Sequence, residues 1–392
     1  MRITDIAWHQ TPTFDELLAT AVPEGIGAEP FSVWFRVPSG FGGGTVSADP
    51  FVAGFLIPCM FDPQDLQVDA SISPLLLARQ DRIQDIITTW FPEFTRISVR
   101  AGDCREPVAD AGDQRGVGCS FSAGVDSWYT FLRHEPEISH LLLFRGSDIL
   151  HEDHDDGLWT EVLDRARRMA DGRHRALVTV ETNIHEVTDK RRCTWGRRSE
   201  REFYMRTHFG GALSAMALVL QDHLRQFYLP ASYTYRDLFP FGSHPLLDPL
   251  WSTERLAIVH DGCEADRHEK TRLVAQHPDA MAHLRVCAAR EPGRYNCSAC
   301  EKCYRTMASL RLLGLLDQAP TFEGPLDLRH MRRFRVPPYL QPIWKPVLLA
   351  AEAAGDRALA RSIRRSLGWD SAPSSLYRRL RHRLAKHSAR RH

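Results

Sequence analysis

From Val117 onward, short apolar runs alternate with amphipathic stretches, and a chain with that rhythm has few ways to fold. VGCSFS reads as a strand, VDSWYTFLRH as a helix, HLLLFRG as a buried strand, DGLWTEVLDRARRMA as a helix and ALVTVET as another strand. A long helical stretch, REFYMRTHFGGALSAMALVLQDHL, then leads to strand-like QFYLPAS. Strands that alternate with helices are joined by crossovers, and the outcome is a parallel sheet covered on both faces. The expected fold class is therefore α/β. At 392 residues, with 43% hydrophobic and 25% charged, the chain is long enough for two domains or one elaborated one, and rich enough to bury a core.

The first ~110 residues differ in texture. FSVWFRVP and PFVAGFLIPCM are rich in β-branched and aromatic residues and read as strand-like, with the glycines from Gly40 to Gly44 forming a loop between them. SPLLLARQDRIQDIITTWF carries apolar residues at helical spacing, and FTRISVRAG reads as a strand. These features predict an α+β N-terminal domain over residues 1–112, closed by a polar linker, CREPVADAGDQRG. Residues 113–318 form the α/β domain, and 319–392 a helical, basic extension with no acidic residue after Asp370. No internal repeat is visible.

The segment Ser122, Ala123, Gly124, Val125, Asp126, Ser127 falls between a strand and a helix. At such a turn, consecutive backbone amides can converge on one anion, and the helix N-terminus adds partial positive charge. Gly124 allows close backbone approach. Ser122 and Ser127 offer hydroxyls, and Asp126, a carboxylate beside phosphates, is suited to Mg²⁺. A plain turn with a capping serine is the simpler alternative. A Walker loop is excluded, because no Gly-Lys-Ser/Thr follows.

The second chemical feature is Cys287-x9-Cys297-x2-Cys300-x2-Cys303. The start of the chain, MRITDIAWHQTPTFDELL, lacks the apolar run of a signal peptide, so the cluster points to metal rather than disulfides. Four thiolates suit tetrahedral Zn²⁺ in a closed structural site, and an iron–sulfur cluster uses the same ligand set. Lys302 and Arg305 are placed to offset its negative charge.

The loop resembles the Ser-Gly-Gly-x-Asp-Ser signature of the PP-loop (N-type ATP pyrophosphatase) superfamily, with Ala123 where that signature usually has glycine. If the position requires positive φ, the Ala123 methyl narrows the approach to pyrophosphate. A PP-loop followed by a four-cysteine cluster is similar to the 7-cyano-7-deazaguanine synthase family, over roughly residues 115–315. The resemblance implies an adenine nucleotide alpha hydrolase-like domain that cleaves ATP between the α and β phosphates with Mg²⁺. It implies adenylation of a substrate carboxylate, then amide or nitrile formation with a nitrogen donor. Lys270, in HDGCEADRHEKTRLV with Arg267, matches a lysine-bearing segment that precedes the cysteines in those enzymes and would stabilise the phosphates. Asp126 and Lys270 are thus the expected catalytic residues. ATP-dependent sulfur transfer and a non-catalytic nucleotide-binding module are the alternatives.

Other candidates are weaker. Gly242, Ser243, His244 and Asp248 lie in a Pro-rich loop after a parallel strand and either contact ligand or pack internally. His208 with Gly210 and Gly211, the acidic run from His151 to Asp156, and Cys193 among arginines each have an ordinary packing or surface reading. With a net charge of +1 and no apolar run long enough for a span, the expected partner is a small molecule rather than a membrane or nucleic acid. The Arg-rich tail reads first as a solubilising segment. A homodimer is compatible with this reading, and the expected location is cytoplasmic.

Overall fold

The computed structural model describes residues 1–25, 28–104, 114–151, 156–189, 203–287 and 293–369. The linker 105–113, Cys193, Glu152 to Asp155 and the basic tail from Asp370 onward lie outside the described residues. The chain forms two compact units. The first comprises 1–265 with 283–285 and 290–295, and the second 266–282, 286–289 and 296–392.

The first unit is built on one ten-stranded sheet of order β10-β9-β6-β7-β8-β3-β2-β1-β4-β5. Its parallel part runs β6 (Gly116–Ser120), β7 (His140–Arg145), β8 (Ala176–Thr182), β9 (Leu224–Pro230) and β10 (Ala257–Asp261). Helices α3 (Val125–His134) and α4 (Asp156–Gly172) follow β6 and β7 as the alternation predicts. Successive side chains of a strand face opposite sides. Accordingly, Leu142 joins the main core while Leu143 packs with Leu158, Trp159 and Val162 of α4. The α/β class expected from the sequence is present, with helices on both faces.

The N-terminal strands extend this same sheet. β1 (Arg2–Gln10), β2 (Phe14–Val22) and β3 (Phe31–Pro38) form an antiparallel meander, and β3 pairs with β8 through Phe35↔Thr182 and Arg36↔Glu181. The Thr182 hydroxyl also donates to the Trp34 carbonyl at 2.7 Å. The short strands β4 (Leu66–Val68) and β5 (Val99–Ala101) complete the far edge. Residues 1–104 therefore share a sheet and a compact unit with the parallel strands.

One expectation fails here. PFVAGFLIPCM is not a strand but lies in helix α1 (Asp49–Phe61), buried from Asp49 to Met60. A helix apolar on every side carries no 3.6-residue stripe, so its composition alone mimics a buried strand. Its buried Asp49 accepts from the Ser47 hydroxyl at 2.6 Å, the Ser73 amide at 2.8 Å and Gln221 Nε2 at 3.1 Å. These bonds tie α1 to the N-terminus of α2 (Pro74–Trp90), where Ser73 caps the helix. Helix α5 (Ile184–Asp189) follows β8, and α6 (Phe209–Leu218) packs on α1.

Gly210, before β9, and Gly242, after it, are explained by packing. A Cβ on Gly210 would lie 2.5 Å from the Gly242 carbonyl, and one on Gly242 would lie 2.9 Å from the His208 and Phe209 amides. The two backbones touch, and the Gly210 amide donates to Gly242 at 2.8 Å. His208 sits buried in the π-turn Tyr204–His208 that leads into α6.

The second unit is helical. It holds α7 (Arg267–Val274), most of α8 (Pro278–His283), α9 (Glu301–Leu312), α10 (Leu328–Met331), α11 (Gln341–Ala353) and α12 (Arg357–Ser366). Asp266, Asp327 and Asp356 cap α7, α10 and α12 through their carboxylates, and Trp344 of α11 is fully buried. No described helix is long and apolar enough to cross a membrane.

Gly210→Ala tests the backbone contact. Alanine gains about 1 kcal/mol of helix propensity, but overpacking against fixed backbone costs about 1–3 kcal/mol. Chemical denaturation should therefore show net destabilisation, whereas a more stable variant would mean the two backbones are not in contact.

Candidate phosphate loop and metal centre

Strand β6 bonds β7 on one edge and β9 on the other. The chain runs from β6 through β7 to β8 on one side and then crosses back to β9 on the other, so the strand order reverses at β6; in open α/β sheets ligands bind beyond the carboxyl ends of strands at such a reversal. The segment 122–127 lies at that point. Phe121 anchors it, donating its amide to the Leu142 carbonyl at 2.8 Å and packing edge-on to Trp128 and Phe131 of α3. Gly124 is the N-cap of α3, and no side chain caps that end. Side-chain capping thus leaves the first amides of the helix to other partners.

Within the loop, the roles differ by residue. Ala123 has φ +57°, the left-handed region. Its carbonyl accepts from the Arg285 amide at 2.9 Å. Val125 is fully buried and contributes only backbone. The Ser127 hydroxyl turns back to the Gly124 carbonyl at 3.0 Å, with the Ser122 hydroxyl 3.5 Å away. Asp126 is half-buried in the first turn of α3 and accepts from the Ser232 hydroxyl at 3.4 Å, just past β9. The helix is held to the sheet by Thr130 and His134, which bond the two oxygens of Asp261 at 2.8 and 3.0 Å.

The loop after β9 serves the fold. Asp248 is fully buried and bonds Ser243 Oγ at 2.7 Å and His260 Nδ1 at 2.6 Å. Burial alone would lower His260, but the bonds to Asp248 and Cys263 raise it to about 9, so it is a cation paired with Asp248 at neutral pH. Burial, with that charge nearby, pushes His244 down to about 4, and its Nδ1 accepts from the Leu246 amide at 3.0 Å. Of the two readings of His244 and Asp248, internal packing accounts for both. His260, which supplies the countercharge, stands outside any motif and had no signal in the sequence.

The four cysteines belong to the second unit. The sulfurs of Cys287, Cys297, Cys300 and Cys303 all lie within 4.8 Å of one another. Cys287 to Cys300 and Cys297 to Cys303 are each 3.9 Å. Tetrahedral zinc with bonds of about 2.3 Å spaces its sulfurs by roughly 3.8 Å, so the set fits a single such ion. A multi-iron cluster puts metal atoms between its thiolates and holds them farther apart. Backbone amides add to the centre: Cys297 donates to Cys287 Sγ at 3.4 Å, and Cys300 to Cys297 Sγ at 3.2 Å. Asn296 accepts from the Val286 and Cys287 amides at 2.9 and 3.1 Å, joining the distant ligand to the other three. Hydrogen bonding among the four thiols pulls Cys287 down and pushes Cys297 and Cys303 up, so they cannot all become thiolates on their own. A divalent ion would relieve that conflict. Arg305 is buried beside the cluster with NH1 3.3 Å from Glu301, which also accepts from Trp344 Nε1 at 2.6 Å.

Lys270 lies on α7 in the second unit and is 1% exposed, so it is not part of a solvated helix face. Asp126 and the rest of the loop lie in the first unit.

Two measurements check these sites. Alanine in the left-handed region costs about 1 kcal/mol relative to glycine, so Ala123→Gly should stabilise the protein by about that amount in chemical denaturation; a loss of stability would contradict the backbone assignment. Metal analysis of the purified chain should give one zinc per chain, and Cys297→Ser should lose metal and lower the melting temperature; a metal-free wild type that melts as high would remove the centre. Comparison with family models, with curated proteins and with solved structures finds no match for this chain, so the function has to be argued from these residues themselves.

Proposed function

We propose that this chain is an ATP-using enzyme of the PP-loop type, which cleaves ATP between the α and β phosphates and adenylates a substrate carboxylate for amide or nitrile formation. The observation that carries this reading is the uncapped α3 N-terminus at the strand-order reversal, preceded by a residue with φ +57°. Converging amides there suit a multiply charged anion. With no lysine among residues 122–127, the loop is suited to hold pyrophosphate as a leaving group, leaving the α-phosphorus open to an attacking oxygen.

In this reading the amides of residues 123–127 hold the β and γ phosphates. Asp126 is the residue for Mg²⁺, which would neutralise charge as the α–β bond breaks. The attacking group is a carboxylate, because adenylation makes it an acyl donor to nitrogen. Lys270 is kept as the second catalytic candidate on the family resemblance alone. The four-cysteine centre has all its positions filled by protein and takes a structural role.

Sulfur transfer is the less supported alternative. It rests on Cys193 among its arginines and on the basic tail, which lie outside the described residues; Cys119, in the strand just before the loop, is fully buried with its thiol pushed up by that burial. A binding module without turnover differs from the enzyme only in the assay.

With ATP, Mg²⁺ and a panel of carboxylate substrates, the expected products are AMP and pyrophosphate. Asp126→Ala should reduce turnover by at least two orders of magnitude (~100-fold, as for other charge-stabilising groups) while leaving the melting temperature nearly unchanged. ADP as the sole nucleotide product, or full turnover in the variant, would refute the mechanism.

A further inference from the structure

The backbone of Arg285 adjoins the loop, and its side chain pairs with no carboxylate among the described residues. Its amide donates to the Ala123 carbonyl at 2.9 Å. Its carbonyl oxygen lies 3.4 Å from the place a Cβ on Gly124 would occupy. The backbone of residue 285 is thus set against the two residues that shape the loop.

The side chain is 6% exposed, and its Nε is buried without a hydrogen-bond partner. No carboxylate pairs with its guanidinium among the described residues. Around the Tyr295 hydroxyl the arginines outnumber the carboxylates: Arg285, Arg165 and Arg168 act on it against Glu161 alone. Arg165 has its own counterion in Glu161, at 2.9 Å, and lies over the Tyr295 ring at 4.3 Å. The Tyr295 hydroxyl donates to the His283 carbonyl at 2.9 Å, so it supplies Arg285 with no countercharge. Only Nε is among the buried unpartnered atoms, so the residue is almost covered while its terminal nitrogens keep their access; a nearly buried charge without a counterion is usually paired or put to use.

The loop itself lacks a cation. Residues 122–127 contain no lysine or arginine and one carboxylate, so side chains give the segment a net negative charge. A tetraanionic ligand there needs positive charge from outside the loop. A planar guanidinium can give two parallel hydrogen bonds to phosphate oxygens.

We infer that Arg285 is a phosphate-binding residue, whose missing counterion is the pyrophosphate portion of the nucleotide held on residues 122–127. This rests on the nucleotide reading of the loop and adds the residue that balances its charge.

The test uses the full-length, metal-loaded chain and two probes, inorganic pyrophosphate and ATP with Mg²⁺, followed by calorimetry and by thermal melting. Wild type should bind both and melt higher with each. Arg285→Met should weaken binding on the order of a hundredfold, as removal of one member of a buried charge pair does. Without ligand it should melt at the same temperature or higher, because an unpaired buried charge has gone. Arg285→Lys keeps the charge but not the fork and should bind on the order of tenfold more weakly. A purely structural arginine gives the opposite pattern: Arg285→Met melts lower, and any variant that folds binds as wild type. That result overturns the role of Arg285 and leaves the nucleotide reading standing. If Arg285→Met does not fold, Arg285→Lys decides, and wild-type affinity in it overturns the assignment. Failure of wild type itself to bind either probe overturns both.

Discussion

The hydrogen bonds that β6 makes to β7 on one edge and to β9 on the other govern the rest of the first unit. Because the chain runs from β6 to β7 on one side and later crosses back to β9 on the other, the strand order reverses at β6. The α3 helix begins there, and its direction is fixed by the bonds of Thr130 and His134 to Asp261 at the end of β10. The left-handed backbone at Ala123 is the turn that leads from the strand into this helix.

That order was partly legible. The alternation from Val117 gave the parallel strands and the helices between them, because strands buried on both faces read as apolar runs and the helices between them keep a stripe. The loop was legible because it falls at a strand–helix boundary, and the cysteines because their spacing admits few purposes. The role of residues 1–104 was not. Nothing in β3 announces that its edge pairs with β8, since pairing partners far apart in sequence leave no local trace. Helix α1 was misread for the related reason that full burial erases periodicity. Gly210 and Gly242 explain each other only once their backbones are seen to touch. Arg285 belongs to no motif, and only its burial without a counterion separates it from the other arginines.

The second unit depends on a different kind of constraint. Cys287 stands apart from the other three ligands, and Asn296 joins the two segments by bonding the Val286 and Cys287 amides. Cys300 occupies the N-cap position of α9 and Cys303 is buried in its first turn, so two of the sulfurs lie where this helix starts. A metal ion at that point would fix the helix and the preceding turns together, contributing to folding rather than to reaction.

The pairing of β3 with β8 also bears on how the chain is made. Trp34 and Thr182, bonded in the folded protein, are 148 positions apart. The meander of β1, β2 and β3 contains only local pairings and can form while the rest of the chain is still being synthesised. Until β8 emerges, β3 presents a row of unsatisfied amides and carbonyls flanked by Val33, Phe35 and Val37. An open edge of that kind will accept a strand from any chain nearby. The long separation therefore makes the nascent protein vulnerable to wrong pairing for most of the time that its central strands are being translated.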